Sequence, residues 1–378
     1  MKFSIFRFVS VVSMAILMSQ SAVFSQTLIP QKHFALTENT DLAGGDISTI
    51  FDTTLEACER ACLSNTQCEA FTFNTRNGSC FAKSGEVTAA EYAGAYSGKV
   101  FLAAQGAEDL AKIRRDEIPF VQDWEMPQVL DQATNLANLH VTNDFTAEDH
   151  LNSARAAEEN GDPILASNYV GAALNLTDSA ADWAEYARLL TAAGGLGGDD
   201  PASLYQRGFY ASVNAYLRAD GAPLQHNILV TMATAFEGIS RGSDMVKALR
   251  LAQSLQPRDD TAALLDDAIG KYGFRVLETV VQSDLARPRI CVNFSEPLAT
   301  TGVDYADYVQ LSDSGLSVTT DGYQQLCIEG VTHGARIGFT LRSGLPAADG
   351  QSLTKSVDIN SYVRDRSPGV RFAGRGYV

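Results

Sequence analysis

Residues 53–81 read TTLEACERACLSNTQCEAFTFNTRNGSCF and hold four of the six cysteines within 23 positions. Cys58 and Cys62 are four apart in an acidic, alanine-bearing segment, so both thiols leave one face of a single helical turn. Thr54 stands before that segment as an N-cap. Glu56 falls in the first turn, where a carboxylate complements the helix dipole. Cys68 opens the strand-like run Ala70-Phe71-Thr72-Phe73, and Cys80 follows the turn signal Asn77-Gly78. The stretch predicts one helix stapled twice to a small antiparallel sheet. Four thiols allow three pairings. A zinc site would favour two close pairs such as C-x2-C, and export to an oxidising space removes free thiols, so disulfides are the reading adopted.

Working outward, the N-terminus bears on the compartment. Lys2 and Arg7 precede the apolar run Phe8 to Met18, and Ser19 to Gln26 is small and polar. This reads as a secretory signal over residues 1–25, cut after Ser25 or Ala22. The apolar run is short for a membrane span, and no later stretch approaches 18 apolar residues. A protein exported across the inner membrane, periplasmic or extracellular, with no membrane anchor after signal cleavage, is therefore expected. The net charge of −16 becomes −18 without the first 25 residues, which hold two basic and no acidic side chains. Such acidity argues against nucleic acid and anionic membrane surfaces as partners.

The pattern Thr-x3-Cys-x3-Cys-x5-Cys-x-Ala-Phe-x-Phe-Asn-x5-Cys resembles the PAN/apple domain family over roughly residues 30–104. The resemblance implies a curved antiparallel sheet cradling one helix, with nested bridges Cys58 to Cys80 and Cys62 to Cys68. It also implies protein or carbohydrate binding through sheet or loop surfaces.

Residues 105–274 are rich in alanine and leucine and read as helical. Thr146-x-x-Asp149 and Ser179-x-x-Asp182 mark helix starts. Asp200-Pro201 and Ala222-Pro223 place proline in first turns. Trp183, Tyr186, Ala187 and Leu190 form an i, i+3, i+4, i+7 stripe, as do Leu229, Met232, Ala233 and Phe236; such stripes read as core. Breaks are expected at Gly161-Asp162-Pro163, Gly194 to Gly198, Asp220-Gly221 and Pro257. The seam Ala156-Ala157-x3-Gly161-Asp162-x3-Ala166, echoed at Ala248-Leu249-x2-Ala252-x2-Leu255-x-Pro257, resembles a tetratricopeptide-type helical hairpin. A short α-solenoid is expected, with an irregular bundle as the alternative.

After Lys271-Tyr-Gly273 the texture alternates: Ile290, Val292, Phe294; then Ile337, Phe339, Leu341; then Val357, Ile359. Turn signals recur at Asp313-Ser-Gly315, Asp321-Gly322, Gly330, Gly344 and Asp349-Gly350, and short strands every 8 to 15 residues predict a β-sandwich. Cys291 and Cys327 sit inside strand patterns and are expected to bridge. The fold class is thus multi-domain α+β, divided as 1–25 signal, 26–104 PAN/apple module, 105–274 tetratricopeptide-like helices and 275–378 β-sandwich.

Arg275-Val-Leu-Glu, Cys291-Val-Asn-Phe-Ser-Glu-Pro297 and the segment Ser361 to Val378 together resemble the N-terminal region of bacterial α2-macroglobulin-like proteins. That resemblance implies a macroglobulin-like sandwich, here truncated, at the front of an endopeptidase inhibitor whose partners are proteases. Such proteins are longer, and a bait segment and a Cys-x-Glu-Gln thioester act downstream. No Cys-x-Glu-Gln occurs in this sequence.

No enzyme is expected. The chain has no H-E-x-x-H, G-x-S-x-G or P-loop, and no catalytic, cofactor-binding or metal residue is assigned. Histidines fall at 33, 140, 150, 226 and 333. His150, after Glu148 and Asp149, reads as part of a solvated polar turn, and His226 as a surface or packing histidine. Asp199-Asp200 and Asp259-Asp260 read as helix-start carboxylates rather than acid/base pairs. Arg364, Arg366, Arg371 and Arg375 form a basic patch, read as inter-domain salt bridging rather than as a docking site for an acidic partner. The alternative function is a stand-alone secreted PAN/apple binding or adhesion protein.

Overall fold

A computed structural model describes residues 27–198 and 200–368. The signal reading over residues 1–25, Asp199, Arg371 and Arg375 lie outside the described residues. The described chain is mixed α+β, with a disulfide-rich first module, a helical middle and C-terminal strands.

The first module contains β1 (Lys32–Ala43), β2 (Asp46–Ile50), α1 (Leu55–Ser64), β3 (Ala70–Asn74), β4 (Ser79–Lys83) and β5 (Thr88–Leu102). The strands form one antiparallel sheet in the order β1-β5-β3-β4-β2. Thr54 caps α1 by accepting from the Ala57 N–H, which satisfies one of the orphan donors of the first turn. Asn77-Gly78 turns the chain between β3 and β4, with Gly78 at φ 63° and its N–H on the Asn74 carbonyl. Cys58 is bonded to Cys80, and Cys62 to Cys68. Together with Phe34, Leu36, Phe71 and Phe73 these cysteines form the core between helix and sheet. Gly98 has no side chain because the Phe71 ring lies over it; a Cβ there would stand 2.3 Å from the ring edge.

Two strands exceed their local signals. His33–Leu36 predicts a short strand, yet β1 runs twelve residues through Thr37–Asp41. The alanine-rich, weakly alternating β5 runs fifteen. Each pairs with the other along nearly its whole length, and this cross-strand partnership overrides modest local propensity.

The bridges close loops of different length, with separations of 22 residues for Cys58–Cys80 and 6 for Cys62–Cys68. Loop-closure entropy then assigns about 3 kcal/mol to the first and about 2 to the second. Urea unfolding of the paired serine variants should place the Cys58/Cys80 variant below the Cys62/Cys68 variant. The reverse order would show that native-state packing, not the denatured loop, sets their contribution.

The helical middle runs α2 (Ala107–Glu117), α3 (Met126–Thr134), α4 (Leu136–Leu139), α5 (Ala147–Glu159), α6 (Pro163–Thr177), α7 (Ala180–Gly195), α8 (Pro201–Arg218), α9 (Ala222–Gly238), α10 (Gly242–Leu255) and α11 (Asp259–Tyr272). Thr146 and Asp149 form a reciprocal capping box. Asp162, Ser179 and Asp200 cap α6, α7 and α8. Both apolar stripes, Trp183-Tyr186-Ala187-Leu190 and Leu229-Met232-Ala233-Phe236, are fully buried in one core. The expected break at Gly194 comes two residues later: α7 keeps Gly194 and Gly195. The Tyr205 ring packs on Gly194 and also covers Gly238 of α9, so this packing offsets the intrinsic cost of glycine in a helix.

The C-terminal strands are β6 (Val276–Gln282), β7 (Arg289–Phe294), β8 (Val309–Leu311), β9 (Ser317–Asp321), β10 (Gln325–Glu329), β11 (Arg336–Leu341) and β12 (Val357–Tyr362). They form two antiparallel sheets, β6-β7-β10-β9 and β12-β11-β8. Ile290, Val292, Leu326 and Ile328 from the first share a core with Phe339, Leu341 and Ile359 from the second. Cys291 and Cys327 are register partners on β7 and β10 and are bonded. Alternation along a strand puts them on the sheet face opposite Ile290, Val292 and Ile328.

The first module and the helices interlock. Ile29 is buried in the helical core, and Ala137 of α4 in the cysteine core. The Leu28 N–H lies 3.2 Å from the Glu108 carboxylate of α2.

Candidate functional site

The sheet of the first module has two edges, and they are treated differently. The β1 edge is occupied. The Thr142 and Asn143 N–H groups both donate to the Leu36 carbonyl, at 2.9 and 3.0 Å. The Glu38 N–H donates to Asn143 Oδ1 at 3.1 Å. The loop between α4 and α5 thereby completes the edge that β1 would otherwise present. The opposite edge, β2, is exposed at every residue. It carries Ile47 and Ile50, and Phe51 follows at 66% exposure. The register shift between Asp46 and Ser48 interrupts its pairing with β4, a feature that blunts an open edge against indiscriminate strand addition.

Where residues 141–145 cross from the sheet to the helices, a cleft of about 430 Å³ opens between α4, α5 and α6. His140 and His150 line it, with Phe145 and Tyr169 as aromatic wall and Asn143, Asp149 and Asn168 among the polar groups. A second depression, on β1 and β5, shares Asn143 and Phe145 with it. A third, toward α3 and α8, shares Leu139, His140 and Asn168. The three depressions adjoin one another through these shared residues, the second on the sheet and the third among the helices.

Both histidines are buried, at 6% exposure each. His140 Nε2 lies 2.9 Å from Tyr186 Oη, and Arg207 Nη2 donates to the same oxygen. Arginine can only donate, so the tyrosine proton goes to His140 Nε2 and the neutral imidazole carries its hydrogen on Nδ1. Burial, reinforced by the Arg207 charge, pushes the His140 pKa down to about 4. His150 Nε2 lies 2.9 Å from the Thr142 carbonyl, which can only accept. The neutral His150 ring therefore keeps an Nδ1 lone pair. Its ring meets Phe145 edge-on.

The reading of His150 as part of a solvated turn is thus corrected. Glu148 and Asp149 are exposed, but the next residue rotates inward, one position further round the helix, beneath Phe145 and beside Tyr169. His226 is a packing residue: its ring bridges the Ala252 carbonyl and Thr261 Oγ1 inside the core. His33 stacks on Phe101, and burial lowers its pKa. His333 contacts the Ser283 carbonyl in the C-terminal strands.

Asp200 accepts from the Ser203 N–H as an N-cap, and Asp260 from the adjacent Thr261 N–H and hydroxyl, so both act locally. Arg364 pairs with Asp284 at 2.7 Å. Asp284 follows β6 and Arg364 follows β12, so this contact stays within the C-terminal part of the chain instead of bridging domains. Among the described residues no group of three or more His, Cys, Asp or Glu is arranged to hold a metal ion. No described helix is long and apolar enough to cross a membrane.

Sequence reasoning missed the groove. Its residues look ordinary in the sequence, and a polar loop, Thr142-Asn143-Asp144-Phe145, supplies both the edge contact and the exposed aromatic. The one local signal is Phe145, an isolated aromatic immediately before the capping box of α5.

Comparison with known proteins gives likenesses to a solved structure and to a domain family. A crystal structure of native alpha-2-macroglobulin from Escherichia coli, spanning domains MG0-NIE-MG1, is 20% identical. That likeness covers 28% of this chain and 36% of that chain, with a TM-score of 0.23. No curated protein matches. The PAN domain family matches residues 30–105, the span that holds the nested bridges, α1 and the five-stranded sheet. Residues 30–105 of this chain are a PAN domain.

Proposed function

We propose that the chain is a non-catalytic, exported binding protein whose PAN domain recognises protein or carbohydrate. The PAN match over residues 30–105 carries this reading, since domains of that family commonly serve such binding. Three disulfides suit an oxidising compartment, which accords with a secreted or periplasmic location. The helical middle acts as a tetratricopeptide-like spacer; helices α5, α7 and α9 begin at 147, 180 and 222, within the roughly 30-to-45-residue span of helical-hairpin repeats. The C-terminal strands form a macroglobulin-like β-sandwich, a reading favoured by two sheets sharing one core.

The test is a binding experiment with a turnover control. The exported chain, immobilised and exposed to arrayed glycans and to secreted proteins, should bind saturably and release its ligand unchanged. Conversion of the ligand would overturn the non-catalytic reading.

A second reading makes this chain the front end of a macroglobulin-like protease trap. The motifs at Arg275, Cys291 and Ser361 favour it. An immunoblot of the native source should then show a species several times larger than 40.6 kDa. A species near that mass would leave the binding protein as the whole function.

A further inference from the structure

We propose that the groove between the PAN sheet and helices α4–α6 binds a linear, neutral oligosaccharide, with His140, His150 and Phe145 as its central subsite. This deepens the binding reading above and rests on it.

Two buried rings line the same cleft with complementary open groups. His140 offers Nδ1–H as a donor, and His150 offers Nδ1 as an acceptor. Neither nitrogen has a hydrogen-bond partner among the described residues. Neither belongs to the buried polar atoms sealed from solvent without a partner, and both rings line the cleft. A hydroxyl both donates and accepts. Two hydroxyls of one sugar ring, or one hydroxyl between the two rings, therefore satisfy both nitrogens together.

The surroundings fit the rest of a saccharide. Phe145 is 60% exposed at the wall, which is costly for a phenyl ring unless something covers it. Its ring, with Tyr169 also lining the cleft, suits the C–H face of a pyranose. Asn143 uses Oδ1 on the Glu38 N–H, leaving its amide N–H groups for a ligand. Asn168 is exposed and lines two of the three depressions. The chemistry also excludes alternatives. No Lys or Arg lines the central cleft, and Asp149 does, so a phosphate, sulfate or uronate held at the centre would lack a counter-charge there; the lining cations, Lys99 and Arg207, belong to the flanking depressions. The depressions on either side share wall residues with the centre, so a chain of several units finds further walls to contact beyond the central subsite. A volume of about 430 Å³ at the centre lies within the range of small-molecule sites.

Isothermal titration of the exported chain with maltohexaose, cellohexaose and chitohexaose tests the proposal, with a heparin hexasaccharide as anionic control. At least one neutral hexasaccharide should bind saturably and shift the His140 and His150 ring proton resonances. Phe145→Ala and Asn168→Ala alter exposed side chains, so folding is preserved. Each should weaken binding about tenfold, a factor worth about 1.4 kcal/mol. Tighter binding of the heparin fragment, no binding of any neutral hexasaccharide, or undiminished binding by Phe145→Ala would each overturn the groove. Those results leave the broader binding reading standing, because the PAN domain has other surfaces. Hydrolysis of a hexasaccharide that requires Phe145 would retain the groove and remove the non-catalytic reading.

Discussion

Replacing Asp178 by Asn should lower the unfolding free energy by about 3 to 5 kcal/mol, the range for stranding one member of a buried ion pair. Asp178 ends α6 in the left-handed conformation, at φ 44°, a conformation that Asn adopts as readily as Asp. Its Oδ1 accepts from Trp183 Nε1 at 2.8 Å and lies 2.9 Å from Arg218 Nε. The Arg218 side chain is 6% exposed, and its guanidinium stands over the Trp183 ring at 5.2 Å. Asn keeps the backbone geometry and the oxygen that holds Trp183. What it removes is the negative charge. Arg218 retains two donations to Asn214, so its hydrogen bonds are partly preserved while its charge is not. Arg218→Met should cost less, because Asp178 is 20% exposed and water can take over part of the role of the lost cation. Urea midpoints followed by helical circular dichroism would separate the two. Equal losses would mean that the Trp183 packing, not the charge, sets the stability of this corner.

What was legible in the sequence followed from local chemistry. The α1 helix, its Thr54 cap and the Asn77-Gly78 turn need only neighbours a few residues apart, and those neighbours are visible in one line of sequence. The same holds for the Thr146 capping box and the buried stripes of α7 and α9. What was hidden depends on partners distant in sequence. β5 is a strand because β1 pairs with it. The loop at Asn143 is fixed by Leu36 and Glu38, more than a hundred residues earlier. His150 was misread because its two preceding residues are acidic and exposed. Its burial is created by Phe145 and Tyr169, which no periodicity within α5 announces. The groove combines both difficulties: its central histidines sit on different elements, and its outer wall belongs to the PAN sheet.

Acid should destabilise the helical region through His140. In the unfolded chain a histidine titrates near 6.5; in the fold burial, with Arg207 beyond Tyr186, pushes His140 down to about 4. Between those values the unfolded state binds a proton that the folded state does not. The stability contributed by neutral His140 is therefore complete above pH 6.5. It falls as pH drops from 6.5 to 4, and no further loss from this group follows below 4. The span corresponds to about 3 kcal/mol at 1.36 kcal/mol per pH unit. The groups packed around the ring explain why protonation finds no compensation. Tyr186 already uses its proton on Nε2, Arg207 is a like charge, Asn175 donates to the His140 carbonyl and not to the ring, and Gly171 lies directly under it. His140→Gln preserves an acceptor for Tyr186 and has no proton to gain. At pH 7 the variant should be the less stable protein, because it packs less well against Gly171. At pH 4.5 most of the difference should have vanished or reversed. Carboxylates elsewhere titrate in both proteins and cancel in that comparison. A stability gap that stays constant from pH 7 to pH 4.5 would mean that His140 takes up its proton as readily in the fold as in the unfolded chain. Nδ1 would still donate in the charged ring, but Nε2 would then carry a hydrogen as well, and the pairing with Tyr186 would have to be reassigned.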